Sequence, residues 1–360
     1  MLNAERWVLA TNDKIASFIT DAEKSLSHMG NEAEVFIEQT RAFLTGGKRF
    51  RAICTLVGFA SATSSSPGGP DETNAIAVAA GLEFFHAAAL VHDDIMDRSD
   101  TRRGKPSAHR AFDALHLRSG YAGDADRFGV SSALLFGDLL LAFSDELVTA
   151  GIGGQGPAGR RARAEFNNMR RDVTVGQYLD IVEEVAWPVV EADTALDRAI
   201  RVVTYKSAKY SIEAPLRIGA ALGGADQEVL DGLSRFGLPL GIAFQLRDDL
   251  LGVFGDEAQT GKPVGDDLRE GKRTALIAIA ESRLGEATTS LAGLGDDHLS
   301  PARVAEIQLM LRNVGAEEAV ERMISEHLAQ AHAALDDAPV ADDVRAALGE
   351  IAQIVTARSA

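Results

Sequence analysis

Three aspartates stand within five positions in VHDDIMDRSD, residues 91–100: Asp93, Asp94 and Asp97. They follow a long apolar run, and carboxylates gathered at a partly buried helix end repel one another unless a cation joins them. At 3.6 residues per turn Asp93 and Asp97 share one helix face; His86 falls near the same stripe two turns earlier, and Glu83 a turn before that. Oxygen donors one turn apart, with no Cys and no second His on the stripe, suit a hard cation. Mg²⁺ takes a few carboxylates and completes its shell with water and phosphate oxygens. The next residues, RSDTRRGKPSAH, add Arg98, Arg102, Arg103 and Lys105, and arginine forks fit phosphate oxygens. Acids that take a metal beside arginines that take phosphate describe a metal-bridged diphosphate site. The plainer reading is a solvated helix end whose own arginines neutralise it, although acids there meet the negative end of the helix dipole.

The pattern recurs in FQLRDDLLGVFGD, residues 244–256, where Asp248 and Asp249 end the apolar run Ile242–Leu246. Two helices that each end an apolar segment in aspartates could face one another and hold Mg²⁺ ions between them. One such motif arises easily by chance in a chain with 53 acids. A pair, each with basic companions, arises far less easily. After the second motif, TGKPVGDDLREGKRTAL carries Lys262 and Lys272 in turn-forming contexts. Earlier, TGGKRFR places Lys48 and Arg51 one helical turn apart behind glycines that would open a helix N-terminus, where backbone N–H groups favour an anion. Lys206, in VVTYKSAKY, is a further candidate cation. Taken singly, each lysine reads as a solvated surface residue.

The elements that must position these groups are legible in the spacing. Apolar residues recur every three or four positions and strand-like alternation is nearly absent, which predicts an all-α fold. Helix breaks fall at Ser64–Asp71, Gly151–Gly159, Gly223–Asp226 and Gly293–Pro301, and none has the length or bias of an interdomain linker. Residues 1–360 are therefore expected to form a single large helical bundle of roughly ten to fifteen helices. With 46% hydrophobic residues the core can be large. A net charge of −17 argues against nucleic acid or an anionic membrane surface as a general partner. Cys54 is the single cysteine, so no internal disulfide forms, and a reducing, cytoplasmic setting is expected. MLNAERWVLATNDK has no secretory pattern. The most apolar segment, Ala75–His92, contains Glu83 and His86 and reads as a core helix, not an integral membrane segment.

In order along the chain, GGKRFR (46–51), EFFHAAALVHDDIMDRSDTRRGKP (83–106), LLFGDLLLA (134–142), GQYLD (176–180), YKSA (205–208), FQLRDDLLGVFGD (244–256) and TGKPVGDDLREGKRT (260–274) resemble the trans-isoprenyl diphosphate synthases, or polyprenyl synthetases. The likeness covers about residues 40–280 and is closest to bacterial geranylgeranyl diphosphate synthases. It implies an all-helical homodimer with the active-site cavity inside a helical bundle. The implied reaction is Mg²⁺-dependent condensation of isopentenyl diphosphate with an allylic diphosphate, with geranylgeranyl diphosphate as product. Asp93, Asp94, Asp97, Asp248 and Asp249 match the metal-binding aspartates. Arg102, Lys206, Gln245 and Lys262 match contacts to the allylic diphosphate, with Lys272 nearby. Lys48, Arg51, His86 and Arg103 match the metal-free site for isopentenyl diphosphate. Gln177 and Asp180 match a pair that would orient metal-bound water.

Two departures stand out. Where the second motif of the family often reads DDxxD, position 252 is Gly, and Asp256 lies too far on to replace the missing ligand. Ser207 stands where a Thr often follows the lysine. In the family the growing chain runs beside the first-motif helix, so Ala88, Ala89, Phe84 and Phe85 are the candidate floor. Small residues next to the motif argue against a stop at farnesyl, and a phenylalanine two turns back suits geranylgeranyl. Farnesyl or longer polyprenyl products, a class I terpene cyclase and a non-catalytic subunit of a heteromeric synthase are the alternatives. GGKRFR and DDLLG count against the cyclase, and the retained acids and bases against the subunit.

Overall fold

The computed structural model describes residues 4–63, 69–154, 156–256, 264–285, 291, 293–296 and 298–356. Among them are fifteen α-helices, and strand is confined to one antiparallel pair of two-residue segments. In chain order come α1 (Ala4–Leu26), α2 (Asn31–Leu44), α3 (Phe50–Ala60), α4 (Pro70–Met96), β1 (Thr101–Arg102), β2 (Lys105–Pro106), α5 (Ala108–Arg118) and α6 (Ala125–Ile152). Then follow α7 (Pro157–Ala186), α8 (Ala195–Val202), a π-helical segment (Val203–Glu213), α9 (Ala214–Gly223) and α10 (Gln227–Phe254). The chain ends with α11 (Asp266–Glu270), α12 (Ala275–Leu284), α13 (Pro301–Asn313), α14 (Ala316–Asp336) and α15 (Asp342–Thr356). The expected breaks fall between helices, although residues 64–68, 155 and 297 of them lie outside the described residues. Asp124 caps α6, Asp226 caps α10 and Ser300 caps α13 by accepting from backbone N–H groups of the first turn.

The chain folds as two compact units: residues 1–163 with 218–225, and residues 164–217 with 226–360. In the first, α4 is the central helix, packed along α6 and against α3 and α1. It is apolar nearly all round, as a helix with neighbours on every side must be. By length and composition it could cross a membrane, yet 72% of its most apolar window is buried inside the protein. Its approach to α6 needs glycine. A Cβ on Gly81 would lie 2.6 Å from Val148 Cγ2, and one on Gly151 would lie 2.6 Å from the Asn74 carbonyl. Around this pair Phe18, Phe84 and Phe143 pack edge to face, and Phe112 packs on Phe136.

In the second unit α10 is central, packed on α14 and on the π-helical segment. Leu246, Leu250 and Val253 share a core with Leu276, Ile277, Ile307, Leu311 and Val320. Arg247 on α10 forks onto Glu321 of α14, with Nη2 2.7 Å from Oε2. Gly241 lets α10 close on the π-helical segment, since a Cβ there would lie 2.5 Å from the Ala208 carbonyl.

Candidate active site

In the first unit the aspartates occupy the end of α4. Asp97 caps the helix, its N–H donating to the Asp93 carbonyl at 2.8 Å, so the two stand one turn apart as their spacing predicts. Asp93 and Asp97 are partly exposed. Asp94 is fully buried and its carboxylate is taken by Arg102, whose Nε donates to Oδ1 at 2.9 Å. The same guanidinium lies 3.6 Å from Asp93. A β-hairpin brings Arg102 there: β1 and β2 pair across Arg103 (φ 53) and Gly104 (φ 70), and Ser107 N–H donates to the Asp100 carbonyl at 2.9 Å. Positive φ at both central residues is the hairpin turn that matches strand twist, and only glycine adopts it without strain. The suspicion that arginines pair with their own acids therefore holds for Arg102. The structure also separates three aspartates that the sequence presents as equals.

The basic residues of the first unit gather around His86. Burial first, then the charges of Arg51, Arg103, Arg102 and Arg49, hold its imidazole well below the ordinary range, so it is neutral near pH 7. Arg103 is itself shifted down by burial and then by Arg102. Gly47 borders this group: a Cβ on it would lie 3.6 Å from Arg103 Nη1. α3 begins at Phe50, so Arg51 lies in its first turn, but Lys48 lies ahead of the helix and exposed. The expected one-turn pairing of Lys48 with Arg51 on a helix is thus corrected. The reason is Arg49, which adopts a left-handed backbone (φ 50) and turns the chain into α3.

Arg49 and Glu83 are the structural residues that the motifs did not reveal. Arg49 is buried; its Nε donates to Asn12 Oδ1 at 2.8 Å and its Nη1 to Glu83 Oε2 at 3.4 Å. Glu83 also accepts the Ala52 N–H at 3.1 Å, satisfying an N-terminal donor of α3. One buried carboxylate therefore holds α3 in place and with it Arg51. Its place on the His86 stripe was the only signal in the sequence. Of the candidate floor residues, Phe84 and Ala88 belong to the core around α4 and α6. Ala89 is partly exposed, and Phe85 and Ala89 lie on the i, i+4 stripe that ends at Asp93.

In the second unit Asp248 is exposed and Asp249 is buried near the end of α10. Gln245 Nε2 donates to Asp249 Oδ1 at 2.8 Å from one turn earlier. Burial pushes the Asp249 carboxyl up to about 8; the Gln245 bond opposes this, the charges of Asp267 and Asp248 add to it, and Lys272 opposes it. Asp256 lies beyond the end of α10 and exposed, so it continues no helix face. Lys206 pairs with Asp180, bringing two sequence candidates together. Gly176 makes this possible: a Cβ there would lie 2.4 Å from the Lys206 nitrogen, so α7 and the π-helical segment touch backbone to backbone. Departures from α-helical geometry of this kind are frequent at functional sites. Gln177, one residue on, is partly buried. Lys272 pairs with Glu270 at 2.7 Å, and Lys262 lies outside the described residues.

These donors are oxygens only, the chemistry of a hard cation. Among the described residues no three Asp, Glu, His or Cys side chains close on a single point. An ion that keeps its waters and completes its shell with phosphate oxygens fits such a set better than one that needs a cage.

Known proteins agree with this arrangement. The chain matches the polyprenyl synthetase family over residues 34–308. It is 36% identical over 243 residues to a geranylfarnesyl diphosphate synthase of Aeropyrum pernix, covering 67% of this chain and 68% of that one. It is 31% identical over 309 residues to a geranylgeranyl diphosphate synthase of Mycobacterium tuberculosis, covering 85% and 80%. Among solved structures it is similar to a geranylgeranyl pyrophosphate synthase from Corynebacterium glutamicum complexed with isoprenyl diphosphate and magnesium. There the TM-score is 0.92 and the identity 39%, over 99% of this chain and 100% of that one. With aspartate motifs and basic residues set as described and a match of this extent, the chain belongs to the polyprenyl synthetase family and is a prenyltransferase that makes a polyprenyl diphosphate.

Proposed function

We propose that this enzyme condenses isopentenyl diphosphate with an allylic diphosphate to give geranylgeranyl diphosphate, using Mg²⁺. The observation that carries the reading is the basic group around His86, set along α4 from Asp93 and Asp97. The solved relative from Corynebacterium glutamicum, complexed with isoprenyl diphosphate and magnesium, supports both the substrate class and the metal. When bound, Mg²⁺ would supply the positive charge that a departing diphosphate needs. In the first unit Asp93 and Asp97, which reach the surface, are carboxylates to hold such an ion, with Asp94 behind them; in the second unit Asp248 has that role, with Asp249 behind it. Arg102 in the first unit and Lys206 in the second keep their assignment as allylic-diphosphate donors, each released from an aspartate of its own unit. Gln245 and Lys272 keep their assignment beside them, and Gln177 and Asp180 theirs in orienting water.

Arg51, Arg103 and Lys48 would anchor the second diphosphate, with neutral His86 as a hydrogen-bond donor. A separate anchor is required because the double bond of isopentenyl diphosphate must meet the allylic cation in one orientation. An apolar wall must keep water from that cation. Phe85 and Ala89 supply it along the Asp93 stripe, and Phe85 is the floor that limits the product to geranylgeranyl length. We further read the enzyme as a cytoplasmic homodimer, since exposed Leu134 and Leu135 on α6 offer an apolar face for a second copy. The decisive assay gives the purified chain labelled isopentenyl diphosphate, each allylic starter and Mg²⁺. Geranylgeranyl diphosphate formed without any partner chain is the expected result. No product without a partner would overturn the reading, and a different length would replace its last step.

A further inference from the structure

Two ion pairs join α7 to the π-helical segment, one on each side of a glycine. On α7, Asp172, Gly176 and Asp180 stand at four-residue intervals and so share one face. Gly176 lies against the backbone of Tyr205 and Lys206: a Cβ on it would be 2.5 Å from the Tyr205 carbonyl carbon and 2.8 Å from the Lys206 Cα. Toward the C-terminal end of α7, Asp180 takes Lys206. Toward its N-terminal end, Asp172 takes Lys209, whose Nζ donates to Oδ2 at 2.9 Å. The Lys209 ammonium also stands over the Tyr205 ring, 4.8 Å from its centre, where the ring attracts a cation. Burial draws the Lys209 pKa down, and the bond and charge of Asp172 more than offset it, so that it stands above the ordinary lysine value. Lys209 is therefore charged and held by two partners.

The two pairs face different demands. To donate to a diphosphate Lys206 must leave Asp180, so that pair opens when substrate binds. The Lys206 side of the Gly176 contact is then without its ion pair. π-Helical geometry mostly occurs as single-turn bulges, whereas this segment runs for eleven residues, and its winding depends on what it packs against. We infer that Lys209 and Asp172 form a positioning pair that keeps the π-helical segment in register on α7 while Lys206 is away from Asp180. Lys206 then meets the allylic diphosphate in one place. The inference rests on the assignment of Lys206 to that diphosphate. Lys209 and Asp172 are 29% and 35% exposed, so the pair adds little to global stability, and its effect falls on the segment it ties down.

The test is steady-state kinetics of the full chain at saturating Mg²⁺, with isopentenyl diphosphate and an allylic diphosphate varied in turn. Lys209→Met keeps most of the stem and removes the charge. It is expected to lower kcat/KM for the allylic substrate about fivefold, the upper end for a partly exposed ion pair, and to leave the KM for isopentenyl diphosphate unchanged. Asp172→Asn should give the same loss, and it decides the matter if Lys209→Met fails to fold. The double variant should be no worse than either single one, because two residues that act through one bond do not add. Unchanged allylic kinetics in Lys209→Met overturns the inference, as do losses that add in the double variant. An equal rise in the KM for isopentenyl diphosphate also overturns it, since the pair would then support the fold at large. Lys206→Ala keeps the two readings apart: if it leaves the allylic kinetics untouched, the assignment of Lys206 itself falls.

Discussion

The two aspartate motifs read alike and are built differently. Each puts one aspartate toward solvent and buries the next: Asp93 and Asp94 at the end of α4, Asp248 and Asp249 near the end of α10. Buried Asp94 meets the guanidinium of Arg102, whereas buried Asp249 meets the neutral amide of Gln245, with Asp267 and Asp248 adding like charge. The first motif carries its counter-charge within the fold. In the second, the buried carboxyl meets a neutral amide and like charge, with Lys272 opposing them, and a divalent cation would relieve that like charge. Sequence identity between motifs therefore says little about which of them an ion stabilises more.

The largest effects should fall on the exposed members. Asp93→Ala and Asp248→Ala are each expected to lower kcat/KM roughly 10²–10³-fold, the scale for losing one group that stabilises charge in the transition state. Steady-state kinetics at saturating Mg²⁺ checks this. If Asp248→Ala were recovered by excess Mg²⁺ and Asp93→Ala were not, the motifs would differ in affinity and not in role.

The buried members should then diverge in sign. Asp94→Asn leaves Arg102 without its ion-pair partner and should destabilise the protein by about 3 kcal/mol in urea melts. Asp249→Asn should do the reverse in metal-free protein at high pH. Unfolded, Asp249 ionises near its ordinary 3.8; folded and metal-free, at about 8. Between those values the folded state binds more protons, so stability is fullest below the lower value, falls as pH rises through the window and is level above it. The loss is on the order of 3 kcal/mol once relaxation is allowed for. Urea melts at pH 5 and pH 8.5 should show this slope in the wild type and a flatter one in Asp249→Asn. Equal slopes would remove the contrast between the motifs.

Much of this was legible beforehand, and the reasons it stopped where it did are physical. Helical periodicity exposes α4 and α10 because burial repeats with the helical period, and caps and glycines mark the breaks. Residue types and spacing alone locate both aspartate pairs. The split between exposed and buried members was not legible, because it depends on neighbours from elsewhere in the chain. Arg102 arrives on two-residue strands too short to alternate, through an Arg-Gly turn where Asn-Gly is the usual signal. Lys206 meets Asp180 because Gly176 is bare, which is a contact across 26 positions. Asp267 sits in a quoted stretch, GDDLREGK, yet nothing local ties it to Gly252, where a Cβ would lie 2.0 Å from its Oδ2. The departure at 252 was visible and the carboxylate that takes its space was not.

Basic residues sharpen the contrast further, since among the described residues it is in the first unit that arginines surround an imidazole, that of His86. His86→Ala should raise the KM for isopentenyl diphosphate about tenfold, the cost of one hydrogen bond to a charged group, and leave the KM for the allylic substrate unchanged. Equal rises for both substrates would dissolve the separate anchor.

The smallest effect in energy concerns what α4 presents on the way to its aspartates. Phe84 and Phe85 are adjacent and both buried, but Phe84 packs edge to face on Phe18 and Phe143, while Phe85 lies on the Asp93 stripe. Truncating Phe84 should open a core cavity and cost about 3–5 kcal/mol of stability with product length unchanged. Truncating Phe85 should change length instead, shifting product toward one further isoprene unit on chromatography. Discrimination at an apolar floor amounts to only about 1–3 kcal/mol, so a mixture is expected, not a clean switch. An unchanged distribution in Phe85→Ala would take the floor away from α4 altogether, leaving the first motif helix to position charge alone, as α10 does.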